Sequence, residues 1–454
     1  MKKILVAIIS LGFWVTSHAQ IDSLRNSLKG GQVSGYWRSF YMATVNADDL
    51  KNWNALATGG LLKYETGSFK NFSIGIGYYT SHNLNISNLA DRDNTSNKES
   101  RYEAGLFDVQ DLENREIHVL GELYLKYKNL KNEIKLGRMK LKTPYLNPED
   151  GRMIPTLEQG LWYSGTPNKQ LKYNLGWITH IAPRSYSKFE TVSNSIGIYP
   201  TGLNPDGSRS GYYRNLSSLG IGVASLQVKK EKWGIDIWDY FVENIFNTAY
   251  LKGYYQTKTE LLPVKISGQY LIQNKINNGG NDSPALSYVH DDLAMVWGAQ
   301  IQTKLPKGCL VSFNYNQITD HGRFLFPREW GRESLFTFQK RERQEGFGDT
   351  KSWVVDVARS WNLKNESEIT VKIGYGQYYR PDARDFEVNK YAMPANDQFN
   401  LDLFYHFSGP FKGLNFEYLV TYKGALNDTY ENPNFIINKV DMWNHNFVLN
   451  YRLQ

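Results

Sequence analysis

From Gly137 to Gly160 the chain reads GRMKLKTPYLNPEDGRMIPTLEQG, with Pro144, Pro148 and Pro155 set among Arg138, Lys140, Lys142, Arg152 and the acidic pair Glu149 and Asp150. Such a mixture suits non-covalent charge recognition. Guanidinium groups offer carboxylates planar, bidentate donors, and neighbouring acids can hold a cation. A second concentration lies at 319–350, where Arg323, Arg328, Arg332, Lys340, Arg341 and Arg343 are matched by Asp320, Glu329, Glu333, Glu342, Glu345 and Asp349. Covalent chemistry has no comparable grouping. Ser, His and Asp occur in no nucleophile-elbow setting, the eight histidines lack metal-ligand spacing, and no cofactor is expected. The single Cys309 excludes a disulfide framework.

The elements that must carry these charges begin after a secretory signal. Lys2 and Lys3 precede the apolar run ILVAIISLGFWV and the small-residue site Ser17-His18-Ala19, which predicts cleavage after Ala19. The run is short of the ~20 residues a spanning helix needs, which disfavours a membrane anchor, and Gln20 in place of Cys disfavours a lipoprotein. Residues 20–454 then form one domain. Losing Lys2 and Lys3 lowers the net charge from +7 to +5, too little to argue for nucleic acid.

Beyond residue 19 apolar residues recur at every second position, over segments of about ten, the length of a tilted membrane strand. In FSIGIGYYTS, Phe72, Ile74, Ile76 and Tyr78 share one face; in QFNLDLFYHF, Phe399, Leu401, Leu403, Tyr405 and Phe407 do. In NFVLNYRLQ, Phe447, Leu449, Tyr451 and Leu453 alternate with Val448, Asn450, Arg452 and Gln454, although Gln454 departs from the aromatic end common in such chains. Eighteen strands are predicted, from 33–44 to 443–453. Links after even-numbered strands are short (KNLKN, KEK, LPKG), and those after most odd-numbered ones are long, notably 81–116, 182–217 and 319–350. An even count with loops sorted by end predicts an all-β, antiparallel transmembrane barrel with short periplasmic turns and long extracellular loops, rather than a soluble sandwich.

Four stretches in order, GQVSGYWRSFYM, ATGGLLKYETGSFKNFSIGIGY, the 137–160 segment and GFGDTKSWVVDV with its continuation to QFNLDLFYHFSGPFKGLNFEYLVTYKG, resemble the OprD-type substrate-specific porins across nearly the whole mature chain. Within 137–160, Gly137, Pro144, Asp150, Arg152, Pro155 and Gly160 match the family's internal loop motif, with Gly151 filling a variable place. The resemblance implies an outer-membrane porin of a Gram-negative bacterium that gives passive, partly selective diffusion of small solutes, such as amino acids or small organic acids. It makes 137–160 a constriction loop, joined by 319–350. Glu149, Asp150, Arg152, Arg323, Arg328 and Arg332 are then expected at the constriction. A basic run down the inner wall is also a family mark. Parity places Arg38, Lys126, Lys252, Lys258, Lys265, Lys275, Lys304, Lys372 and Lys423 on the lumen face. Arg138 shares the parity of the outward Ile134 and Leu136, so it faces the lumen only if Gly137 seats a bulge and otherwise lies at the rim.

The 319–350 loop has two readings: a solvated loop pairing with neighbours or lipopolysaccharide, or an inward fold, which Phe324, Phe326, Trp330, Phe336 and Phe338 favour. Expected partners are small-molecule solutes, outer-membrane lipid and lipopolysaccharide and the outer-membrane assembly machinery, with no nucleic acid. The chain acts as a monomer or trimer. The alternative from another class is a barrel enzyme of the lipase or protease type. A fatty-acid channel or a TonB-dependent transporter needs a plug larger than residues 20–32 supply.

Overall fold

A computed structural model of the chain describes residues 24–453 apart from 112, 114, 150, 258–261 and 365. The predicted signal sequence, Asp150, Lys258 and Gln454 therefore lie outside the described residues. The first half runs β1 (Gln32–Val45), β2 (Trp53–Glu65), β3 (Phe72–Asn83), β4 (Ile117–Lys128), β5 (Asn132–Met139), β6 (Leu157–Asn168), β7 (Leu171–Ala182), β8 (Glu190–Thr191) and β9 (Ile221–Lys229). The second half runs β10 (Trp233–Val242), β11 (Phe246–Gln256), β12 (Val264–Lys275), β13 (Leu293–Lys304), β14 (Leu310–Ile318), β15 (Thr350–Asn362), β16 (Glu368–Tyr379), β17 (Asn396–His406), β18 (Leu414–Ala425) and β19 (Met442–Leu453).

Every long strand pairs antiparallel with its neighbours. The sheet closes because β1 pairs both β2, from Gln32↔Glu65, and β19, from Gly35↔Leu453. The two-residue β8 only adds to β7, which pairs onward with β9. Eighteen strands thus make the closed wall, and closure leaves no unpaired edge in lipid. The eighteen predicted strands all occur, most within three residues at each end.

Alternation along each strand sorts side chains between lipid and lumen. On β3, Phe72, Ile74, Ile76 and Tyr78 are exposed while Ser73 is buried. Trp177, Trp297, Trp361 and Trp443 join the exposed set, as an aromatic-rimmed lipid belt requires. The 137–160 segment leaves the wall where its prolines remove ladder donors, and β5 ends at Met139.

Gly137 does not seat a bulge. Its φ is +124°, and a Cβ there would come within 2.2 Å of the Leu123 carbonyl oxygen, so it serves close strand approach. The register runs unbroken from Lys135↔Trp162 to Arg138↔Gln159. Arg138 keeps its outward parity, stacks over Phe189 at 4.4 Å and donates to Gln159 and to the Leu120 carbonyl. The register shifts fall elsewhere, in β3/β4 after Gly77 and in β6/β7 at Gln159/Gly160 and at Gly165/Asn168.

The lumen is not empty. Tyr145, from the loop after β5, packs against Tyr240 at 5.7 Å and Tyr250 at 5.5 Å on the inner wall and Phe326 at 4.9 Å. Phe324, Phe326 and Trp330 are buried in the same cluster. The 319–349 loop therefore folds inward, and burial of its aromatic rings is the driving force. On the other side Leu106 and Phe107, from the 84–116 loop, pack with Met153, Ile154 and Leu157.

Candidate functional site

The two inward loops are tied through the side chain and the backbone of Asn147. Asn147 donates to the Arg332 carbonyl at 2.9 Å and accepts from the Arg332 N–H at 3.1 Å, and its own N–H reaches the Trp330 carbonyl. Gly331, at φ +146°, sits where a Cβ would lie 2.7 Å from the Tyr145 carbonyl oxygen. Only glycine allows that approach.

Where the loops meet the wall of β1, β18 and β19 they leave a gap of about 80 Å³, lined by Arg38, Phe40, Glu149, Gly151, Arg184, Arg332, Phe338, Lys340, Arg341, Glu417, Leu419, Asn446 and Val448. Glu149, left-handed at φ +43°, is held by Arg184 and by Arg343 at 2.6 Å. Lys340 bridges Asp402 at 3.0 Å and Glu417. Burial opposes its charge, but those two carboxylates hold the ammonium above its usual range. Arg341 donates to Asn444 at 2.9 Å and to Asn446, and burial, reinforced by Arg184, lowers it to about 10. Arg332 is exposed at the gap, its guanidinium over Phe338 at 4.6 Å. A larger cavity of about 530 Å³ opens beside β1 to β4, lined by Lys63, Glu65, Glu122 and Lys140 among others.

Of the residues expected at the constriction, Glu149 and Arg332 are at this gap. Arg152 is not: it is buried, donates to the Gly151 carbonyl at 2.8 Å, and lends its own carbonyl to Arg38. Its Nε has no partner among the described residues, and burial, with Arg341 and Arg184 nearby, pushes its pKa well below the usual range. Glu149 thus pairs with Arg184 and Arg343, not with Arg152. Arg323 is turned away toward the outer loops, donating to the carbonyls of Glu387 at 2.9 Å, Leu203 at 2.8 Å and Phe386. Arg328 is half-buried in an ion pair with the buried Glu345, with Tyr391 stacked at 3.6 Å. Tertiary packing takes Arg323 and Arg328 because each meets carbonyls or a carboxylate in the interior between loops, where an unsatisfied guanidinium is costly, whereas Arg152 turns back on the adjacent Gly151 carbonyl.

Along the wall Arg38 reaches the gap, donating to Asn450 at 2.6 Å. Lys126 pairs with Glu65, Lys265 lies over Tyr254 at 4.3 Å, Lys252 over Phe336 at 5.2 Å and Lys372 over Phe404 at 5.3 Å. Lys275 bonds Asp292 at the loop end of β12, and Lys304 is exposed at the short-turn end of β13. Lys423 is sealed under the 319–349 loop, donating to the Arg341 carbonyl at 2.6 Å and to Glu342 at 2.7 Å. Glu342 also accepts from Arg380, and both partners are buried. Arg184, Lys340, Arg341 and Glu417 are gap residues that spacing could not single out. Arg184 lies in the loop after β7, far along the chain, and no local pattern marks it.

A closed eighteen-stranded wall with inward loops narrowing its lumen to a charged gap is the architecture of an outer-membrane channel. The chain belongs to the OprD family of outer-membrane porins, whose family model matches residues 26–271. Its fold is similar to solved porins of Pseudomonas aeruginosa and Acinetobacter baumannii. OccK8 (OprE) of the former matches with TM-score 0.68 at 14% identity, covering 94% of this chain and 99% of the other. OpdK of the same organism, solved with vanillate, matches at 0.69 with 14% identity and the same coverage. OccAB3 of Acinetobacter baumannii matches at 0.71 with 12% identity and again the same coverage. No curated protein sequence matches the chain. The protein is thus a Gram-negative outer-membrane channel, and family and fold speak for passage of solutes rather than catalysis.

Proposed function

We propose that this porin gives passive, partly selective passage to small carboxylate-bearing solutes, such as amino acids or small organic acids. The observation that carries the proposal is the charge balance at the gap. Among the described residues Arg38, Arg184, Arg332, Lys340 and Arg341 line it against Glu149 and Glu417, and both acids already have cationic partners. A carboxylate entering so narrow a place exchanges part of its water shell for guanidinium donors, and a pore walled by protein focuses that attraction. A small ring bearing a carboxylate, the chemistry of the vanillate with which OpdK is solved, fits that description. The amino end of a zwitterion would share Glu149 and Glu417 with the cations that already pair with them. The lumen closes within one chain, so a monomer conducts alone and a trimer would hold three separate pores.

Liposome swelling with Arg332→Ala tests this. Entry of small carboxylates should fall several-fold more than entry of neutral sugars of like size, and the difference should shrink as salt screens the pore. Equal loss for both solute classes would mean that Arg332 shapes the gap without reading charge, and the proposal would fail.

A further inference from the structure

On the outer face of the wall, away from the pore, β3 and β4 bring together residues 34 to 36 positions apart in the chain. His82 is the last but one residue of β3, Glu116 directly precedes β4, and His118 is the second residue of β4. The register sets Thr80 opposite His118 and Ser81 opposite Ile117, so the two imidazoles lie diagonally across one strand pair. They share the outward parity of Tyr78, whose ring stacks on His118 at 6.4 Å.

Glu116 stands between them with one oxygen for each. Its Oε1 is 3.2 Å from His82 Nδ1 and its Oε2 is 3.1 Å from His118 Nε2. The imidazole centroids are 5.0 Å apart, and one ligand atom from each of the three residues lies within 4.8 Å of the others. On a tetrahedral ion with bonds of about 2.0 to 2.1 Å, adjacent ligand atoms stand roughly 3.4 Å apart. With one Glu116 oxygen as ligand, one His–Glu separation already matches, and small rotations of side chains 40 to 44% exposed close the other two.

We propose that His82 Nδ1, His118 Nε2 and a Glu116 carboxylate oxygen form a binding site for a divalent transition-metal ion of the zinc class, with its fourth position open to solvent. Two imidazoles and one carboxylate suit such an ion, whereas calcium and magnesium prefer oxygen donors throughout. The exposed position lets the ion arrive without any opening of the barrel. Glu116 is also the foot of the 84–116 loop, whose Leu106 and Phe107 pack beside Met153 and Ile154. A bound ion would fasten that foot to β3.

The test is titration of detergent-solubilised full-length protein with Zn²⁺ alone, competed against a chromophoric chelator. One ion per chain is expected, with a dissociation constant in or below the micromolar range, undisturbed by millimolar Mg²⁺. Glu116→Gln, which keeps the side-chain shape, should weaken binding at least tenfold, and His82→Ala/His118→Ala should abolish it. Each variant should keep wild-type single-channel conductance, which reports an intact barrel independently of the metal. Co²⁺ in place of Zn²⁺ should give a visible absorption band lost in the double variant. Binding only above about 1 mM, displacement by Mg²⁺, or unchanged stoichiometry in the double variant would overturn the site.

Discussion

Glu342 is the place to test what holds the lumen loop against the wall. It is buried between two cations, Lys423 at 2.7 Å and Arg380, both almost wholly enclosed. Glu342→Gln would strand both charges in a dry site. Breaking a buried pair by removing one partner costs about 3 to 5 kcal/mol, or roughly 100-fold to several thousand-fold in the docked-to-undocked ratio of the loop, at about 1.4 kcal/mol per tenfold. Lys423→Met should cost less. Arg380 still neutralises Glu342, and the chief loss is the bond to the Arg341 carbonyl, about 1 to 3 kcal/mol for an acceptor left unpaired. The assay is single-channel recording with hydrogen exchange over 319–349. Glu342→Gln should show larger, noisier conductance and strongly increased exchange, and Lys423→Met a milder form of both. Equal effects, or a harsher Lys423→Met, would refute the reasoning. Acid should act on the same group. Burial raises the Glu342 pKa, but Lys423 and Arg380 outweigh burial and hold it at about 2, below its ordinary 4.5. Because the docked-state pKa is depressed, the stabilisation is complete above pH 4.5 and drains away as pH falls toward 2.

Arg152→Met should leave stability unchanged or slightly raised, since it removes a buried cation beside other cations while keeping its volume; thermal unfolding in detergent measures this, and a loss above about 3 kcal/mol would contradict it. Gly331→Ala should loosen the tie between the two loops by about 1 to 3 kcal/mol, seen as gating noise in bilayer recordings, because the φ of +146° and the Tyr145 carbonyl leave no room for a Cβ. Glu329, raised by burial to about 7, should ionise in the packed loop near pH 7, and the packing it favours should weaken as pH rises from about 4.5 through 7; hydrogen-exchange protection near Trp330, corrected for the intrinsic pH dependence of exchange, should be lower at pH 8 than at pH 6. Epitope tags near residues 95 and 205 should be reached by antibody on intact cells, and a tag in the 169–170 turn only after permeabilisation.

The wall was written in the sequence because a lipid-facing strand has one solvent on each side. Phe72, Ile74, Ile76 and Tyr78 must alternate with lumen residues whatever the loops do, and strand pairing between neighbours follows from short turns. The breaks were legible too. Pro144, Pro148 and Pro155 cannot continue a ladder, and the aromatic load of 319–349 has no use in water. Which charges meet was not legible, since parity and spacing are local and the gap is assembled from residues as distant as Arg38, Glu149, Arg184, Arg332 and Glu417. Arg323 and Arg328 have the residue type of a constriction but were taken by carbonyls and a carboxylate brought to them by folding, and Arg152 is buried with its guanidinium turned back on the adjacent Gly151 carbonyl. His82, Glu116 and His118 show the converse: no spacing marks them as a cluster, and only the register of β3 on β4 makes them one. Alternation is fixed by the solvents on either side of a strand, whereas the partner of a charge is fixed by the competition among all groups in the lumen, which exists only once the barrel has closed.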